Sequence, residues 1–260
     1  MTPAGAPDPV RASRRRLVID GLGIIASGVG FGLVYGLAAR SAGFSPIEAG
    51  AMSIIVFAGA AQFAAIGYVL GGFSWLGVVL LTAFLNARHV LYSAALAPYV
   101  ADKPRPYRAV LAHLLTDEAF ALSLAHFRRI GRADMWGYWW AAIVGDFIPW
   151  NLATLAGVLI GGQIPDPSIY GLDVIFPAAM AGLAVGLVTG RRELVAAISG
   201  AVIGVAVGLA SDPAAGILAG GLIGPLLGLL TPAGPGDHRH EAPIVVTPTL
   251  DDPSREHEHR

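Results

Sequence analysis

Between Leu17 and Leu230 the chain carries only 21 charged side chains, and they fall mostly in short clusters between long apolar runs. A bilayer core takes about 20 apolar residues per helix. By that measure the sequence holds eight candidate segments, near 20–39, 46–70, 73–98, 108–126, 137–161, 170–189, 194–210 and 213–230. Charged or Gly/Pro-rich punctuation separates them, as in Arg40-Ser-Ala-Gly43, Asp102-Lys-Pro-Arg-Pro-Tyr107 and Arg128-Arg-Ile-Gly-Arg132. The expectation is an all-α polytopic membrane protein with seven or eight transmembrane helices, some broken at Gly-rich stretches. Seven stays open beside eight because the last two segments are short.

Three regions follow: a basic flank at 1–16, a transmembrane domain at 17–230, and a polar, Pro-rich tail at 231–260 expected to be disordered. The composition is 13% charged and 55% hydrophobic, with mean hydropathy +0.63. A soluble domain carries about 25% charged residues. Net charge −1 offers no basic surface for nucleic acid, and the absence of Cys excludes disulfides, thiolate zinc sites and iron–sulfur clusters. No cofactor is expected. His238, His240, His257 and His259 in the tail read as solvated side chains rather than metal ligands. Ser13-Arg-Arg-Arg16 has the look of a twin-arginine signal, but the apolar run behind it exceeds the roughly 7–15 residues of a signal, so it reads as a flank.

Lys and Arg favour the cytoplasmic side of a membrane. With eight spans and a cytoplasmic N-terminus, Arg11, Arg14, Arg15, Arg16, Arg128, Arg129, Arg132, Arg191 and Arg192 fall inside. Arg40, Lys103, Arg105 and Arg108 fall outside. The 102–108 loop is the exception, and it suggests that the third segment is two broken pieces.

Polar groups inside the apolar runs carry the functional signal. Gln62 sits among small residues in Phe57-Ala-Gly59-Ala-Ala-Gln62-Phe63, a stretch able to unwind and free backbone groups for a solute. The third segment holds Asn86, His89 and Tyr92 on one helical face, with Arg88 offset by about 100°. The fourth holds His113, Thr116, Asp117 and Glu118. Two ionised carboxylates at mid-membrane cost about 5–7 kcal/mol, while the segment's aliphatic and aromatic residues return about 2–4. Such a helix needs partners, with Arg88 or His113 as candidates for Asp117, or a wet cavity. Asp146, near Pro149, Trp150 and Asn151, adds a third acid. In the first segment, Gly28, Gly32 and Gly36 form a small-residue stripe read as helix packing or an exposed backbone pathway.

Phe57-Ala-Gly-Ala-Ala-Gln62-Phe63, then Asn86-Ala-Arg-His-Val-Leu-Tyr92 with Leu96-Ala-Pro98, then Thr116-Asp-Glu118, closely resemble the AzlC family over about Gly21 to Leu230. The resemblance implies a large subunit of a bacterial inner-membrane exporter of branched-chain amino acids, some members also moving methionine. It also implies a small, roughly four-span AzlD-type partner subunit. It carries no residue-level mechanism. The residues themselves point to Gln62 and the Gly59 backbone, with Arg88 or a helix N-terminus, for a carboxylate, and to Asp117 or Glu118 for an ammonium or a coupling proton. Phe57, Phe63 and Trp150 would line the apolar part.

An intramembrane hydrolase is the enzyme alternative, since His113-x-x-x-Asp117 matches half of a membrane metalloprotease dyad. The chain has no HExxH or GxSxG motif, and the expectation is that it is not an enzyme. A channel or scaffold subunit is the third reading.

Overall fold

The computed structural model describes residues 8–71, 75–164 and 188–232, with residues 178, 181, 182 and 185 between them. Most of the expected span at 170–189 and nearly all of the tail lie outside the described residues. Those described form helices and no strand. Four stretches, Pro9–Ser41, Leu76–Val100, Met135–Gly161 and Arg191–Ala210, are long and apolar enough to cross a bilayer. The all-α polytopic membrane architecture is therefore as expected.

The first helix, α1 (Pro9–Ser41), starts at Pro9 behind Asp8, whose carboxylate caps Val10 N–H at 3.0 Å. Its length, about 50 Å, takes it through the membrane. The expected second span is instead two short helices, α2 (Pro46–Ile55) and α3 (Gly59–Leu70). The chain reverses between them at Phe57, whose φ of 40° lies in the left-handed region. Ala49 on α2 and Phe63 on α3 both meet Tyr35 of α1: the Tyr35 hydroxyl lies 3.4 Å from the Ala49 carbonyl oxygen, and the Tyr35 and Phe63 rings are 5.8 Å apart. The chain therefore doubles back, as a hairpin re-entering from the end where α1 terminates. At 10 and 12 residues neither arm spans the roughly 30 Å core alone.

The next two helices, α4 (Trp75–Asn86) and α5 (Arg88–Val100), form one span kinked at Ala87. There the Ala87 and Val90 N–H groups bond carbonyls three residues back, and the His89 ring sits 3.0 Å from the Asn86 carbonyl oxygen. A second hairpin follows in α6 (Arg105–His113) and α7 (Asp117–Ile130). The carbonyl oxygen of Leu111 on α6 accepts the Tyr138 hydroxyl at 2.5 Å, and His126 on α7 packs on Gly137 beside it. This hairpin thus enters from the opposite end. The single helix expected at 108–126 is overturned: the two carboxylates sit at a hairpin tip, in the first turn of a helix start, rather than within a continuous span.

The last span of this part runs from α8 (Met135–Trp139) through a π-helical stretch (Trp140–Phe147) into α9 (Ile148–Gly161). Pro149 cannot donate to the Gly145 carbonyl, and the ladder widens just before it. The Asn151 amide bonds the Phe147 carbonyl oxygen at 2.9 Å. This span packs parallel to α1, backbone against backbone. A Cβ on Gly36 would strike the Thr154 and Val158 backbone, and one on Gly157 would strike Leu33. Close approach of this kind takes the place of the hydrophobic drive that lipid removes. A similar glycine seam joins α10 (Arg191–Ala210) to α11 (Pro213–Leu230), where Gly200 and Gly204 meet Gly220 and Gly216.

The hairpins change which end each loop occupies. Tyr107 bonds Trp139 at 2.7 Å, and Tyr99 packs on Phe127, so the 102–108 loop lies at the end where α1 begins. Lys103, Arg105 and Arg108, expected outside, are on the side of Arg11 to Arg16. The sequence count treated both hairpins as crossings, and that placed this loop on the wrong face. Among the described residues from α1 to α9 outside the kink, Arg40 is then the one Lys or Arg at the far end.

Candidate functional site

The tips of the two hairpins meet around a cavity of about 410 Å³. Its walls are Phe57, Ala58, Gly59, Ala60 and Phe63 from the first hairpin, Thr116, Asp117 and Glu118 from the second, and Arg88 and His89 just past the Ala87 kink. Asp146 and Trp150 come from the π segment and α9, while Ile24, Ser27, Gly28 and Phe31 come from α1. Gly182 completes it. Such a volume is in the range of small-molecule sites.

The first tip is apolar. Ala58 precedes α3 with no side-chain cap, so the N–H groups at the start of that helix face the cavity region without a side-chain acceptor. The Phe57 and Phe147 rings meet edge to face at 4.8 Å. A Cβ on Gly59 would lie 2.8 Å from the Trp150 ring, so glycine is what lets this backbone reach the indole. Trp150 in turn stacks on Tyr35 at 6.3 Å.

The second tip is charged. The Thr116 hydroxyl accepts the Ala119 N–H at 3.1 Å and donates to the Asp146 carboxylate at 2.5 Å. Arg88 reaches across from α5 to pair with Asp117 at 2.7 Å. Asp146 is 5% exposed, whereas Asp117 and Glu118 are open to the cavity. Helix starts favour negative charge, and α7 supplies its own.

Phe57, Gly59, Phe63, Arg88, His89, Asp117, Glu118, Asp146 and Trp150 of the expected set thus come together. Gln62, Asn86, Tyr92 and His113 do not line the cavity. Gln62 is fully buried close to the Tyr35 hydroxyl, with neither amide atom in hydrogen-bond geometry. Tyr92 stacks on Phe120 at 4.4 Å. The Ala87 kink puts Asn86 on the helix before Arg88, and the 114–116 turn parts His113 from Asp117. Of the two partners expected for Asp117, Arg88 fills the role. Of the α1 wall, Ile24, Ser27 and Phe31 were not anticipated, whereas Gly28 belongs to the stripe read as packing or an exposed pathway. In that stripe Gly32 and Gly36 pack on α9, but a Cβ on Gly28 would meet nothing within 4 Å.

A second polar cluster lies away from the cavity, where α1 begins. Arg14 grips Asp134 through two hydrogen bonds of 2.7 Å, with its guanidinium 4.7 Å from the centre of the Trp136 ring. The buried His126 ring bridges Asp134 and Ser13, at 2.8 Å to each. The hydrogen bonds from Arg14, helped by His126 and opposed by burial, hold the Asp134 carboxyl well below the usual range.

No solved structure matches the chain. An uncharacterized membrane protein of Archaeoglobus fulgidus is 31% identical over 187 residues, covering 72% of this chain and 80% of that protein. Inner membrane protein YgaZ of Escherichia coli is 30% identical over 165 residues, covering 63% of this chain and 67% of its own. The branched-chain amino acid transport protein AzlC of Bacillus subtilis is 29% identical over 142 residues, or 54% of this chain and 52% of that one. The AzlC protein family model matches residues 23–164, which is the part that builds both hairpins and nearly all of the cavity wall. The chain belongs to the AzlC family of membrane proteins.

Proposed function

We propose that this protein is the large subunit of a bacterial inner-membrane exporter of branched-chain amino acids, working with a small four-span subunit of the AzlD type. One observation carries the reading: the cavity where the hairpin tips meet has an uncapped helix start on one wall and carboxylates on the other. A branched-chain amino acid is a zwitterion with a compact apolar side chain. Its carboxylate fits the N–H groups opening α3, aided by Arg88. Its ammonium fits Asp117, Glu118 or Asp146. Phe57, Phe63 and Trp150 offer an apolar wall for the branched side chain.

The gathering of Lys and Arg at the end where α1 begins supports a cytoplasmic N-terminus. The transport domain is residues 17–230, between the basic flank and the tail. The name of the Bacillus subtilis relative supports the substrate class. Radiolabelled leucine, valine and methionine efflux from proteoliposomes, with and without the small subunit, tests the reading. Movement of leucine or valine against a gradient, abolished by an uncoupler, is expected. Purely downhill leakage would favour a channel, and no movement of any of the three would end the proposal.

A further inference from the structure

Two stretches of the chain repeat one plan in opposite orientation. Residues 46–71 form a hairpin with arms of 10 and 12 residues, and residues 75–100 a span distorted midway at Ala87. Residues 105–161 form a hairpin with arms of 9 and 14 residues, then a span distorted midway by the π segment holding Asp146. Tips at 56–58 and 114–116, and mid-span distortions at 87 and 140–147, stand in matching register. In each stretch the second hairpin arm packs on its own following span, α3 on α4 and α7 on the α8–π segment. The first hairpin enters from the far end of α1 and the second from its start, so the plans are inverted. No sequence repeat announces this.

We propose that these stretches are inverted-topology repeats that exchange conformations, so that the central cavity faces first one side of the membrane and then the other. The proposal rests on the transport reading but does not depend on which amino acid is carried. The repeats are unequal in this structure, as an exchange requires. The second tip is tied by polar bonds to both spans, through Arg88 to Asp117 and Asp146 to Thr116. Among the described residues, the first tip meets the facing span through apolar contacts, Phe57–Phe147 and Gly59–Trp150, while further along α2 Ser53 donates to Asn151 at 2.8 Å. Exchange loosens the second tip and tightens the first. Two contacts between repeats must then slide: Ser53 on α2 against Thr154 on α9, with hydroxyl oxygens 3.4 Å apart, and Tyr92 on α5 against Phe120 on α7.

The natural absence of Cys makes the test clean. A Gly28→Cys reporter in the cavity is labelled with a membrane-impermeant maleimide in right-side-out and in inverted vesicles. Without a cross-link, labelling from both faces is expected. Adding Ser53→Cys with Thr154→Cys and oxidising the pair before labelling is expected to leave the reporter open to one face only. Reductant restores both. The pair Tyr92→Cys with Phe120→Cys serves as an independent lock, covering the case where the first does not fold. Labelling from one face before locking, or from both faces after either pair is oxidised, overturns the proposal. Absence of leucine movement beside normal switching would count against the substrate and not against the exchange.

Discussion

The two hairpin tips solve one backbone problem with opposite chemistry. Each ends a short helix at mid-membrane, reverses, and starts another helix facing the same cavity. At the first, small residues and a left-handed Phe57 leave the start of α3 uncapped and uncharged. At the second, Thr116 caps α7, and Asp117 and Glu118 load its first turn with negative charge. A helix start in a water-poor site attracts an anion unless the chain supplies one. The difference therefore gives the cavity a donor wall and an acceptor wall, which is the polarity of an amino acid.

The strongest way to break that contrast is to make the first tip resemble the second. Gly59→Asp puts a carboxylate on the donor wall and a side chain against Trp150. It is expected to abolish leucine binding, measured with radiolabelled ligand on the purified protein. Asp117→Asn acts on the other wall and leaves Arg88 without its counter-charge. Losing a hydrogen bond to a charged group, about 1.5–3 kcal/mol, predicts roughly ten- to hundredfold weaker leucine binding in the same assay. Thr116→Val removes the α7 cap and one bond to buried Asp146. The expected loss is about 2 kcal/mol of stability, seen as a lower melting temperature in detergent, with Thr116→Ser close to wild type.

The smallest effect concerns the root of the second hairpin, where Asp134 joins Arg14 and His126. Asp134→Asn is expected to cost about 1–2 kcal/mol because Arg14 is partly solvated. The carboxyl is held below its ordinary value in the folded protein. Its stabilisation is therefore complete above the unfolded value of about 3.9 and fades as pH falls beneath it. The part of the melting difference between wild type and Asp134→Asn that comes from this carboxylate should shrink as pH falls below that value.

Much of this was legible in the residues. Ala58-Gly-Ala-Ala around Gln62 marked a place where a helix gives way, and the chain reverses there. The excess of charge in the fourth segment required a partner, and Arg88 provides it. What hydropathy could not reveal was direction. A hairpin with arms of 10 and 12 residues has the same apolar composition as a crossing, so the sequence count moved Lys103 and Arg108 to the wrong face. The inverted repeat was hidden for a related reason. The tips match in backbone and not in side chain, with Phe57-Ala-Gly59 at one and Thr116-Asp-Glu118 at the other. Gln62 stood out by polarity but packs away from the cavity, while Gly28, chemically silent, faces it.

Substrate protection of the cavity is the most direct test of this account. A Ser27→Cys variant, its thiol on the α1 wall, is labelled by maleimide in membranes that transport leucine. Leucine is expected to slow the labelling in the wild-type background and to lose that effect with Gly59→Asp. Labelling that leucine leaves unchanged, in protein that still exports it, would mean that the solute passes elsewhere.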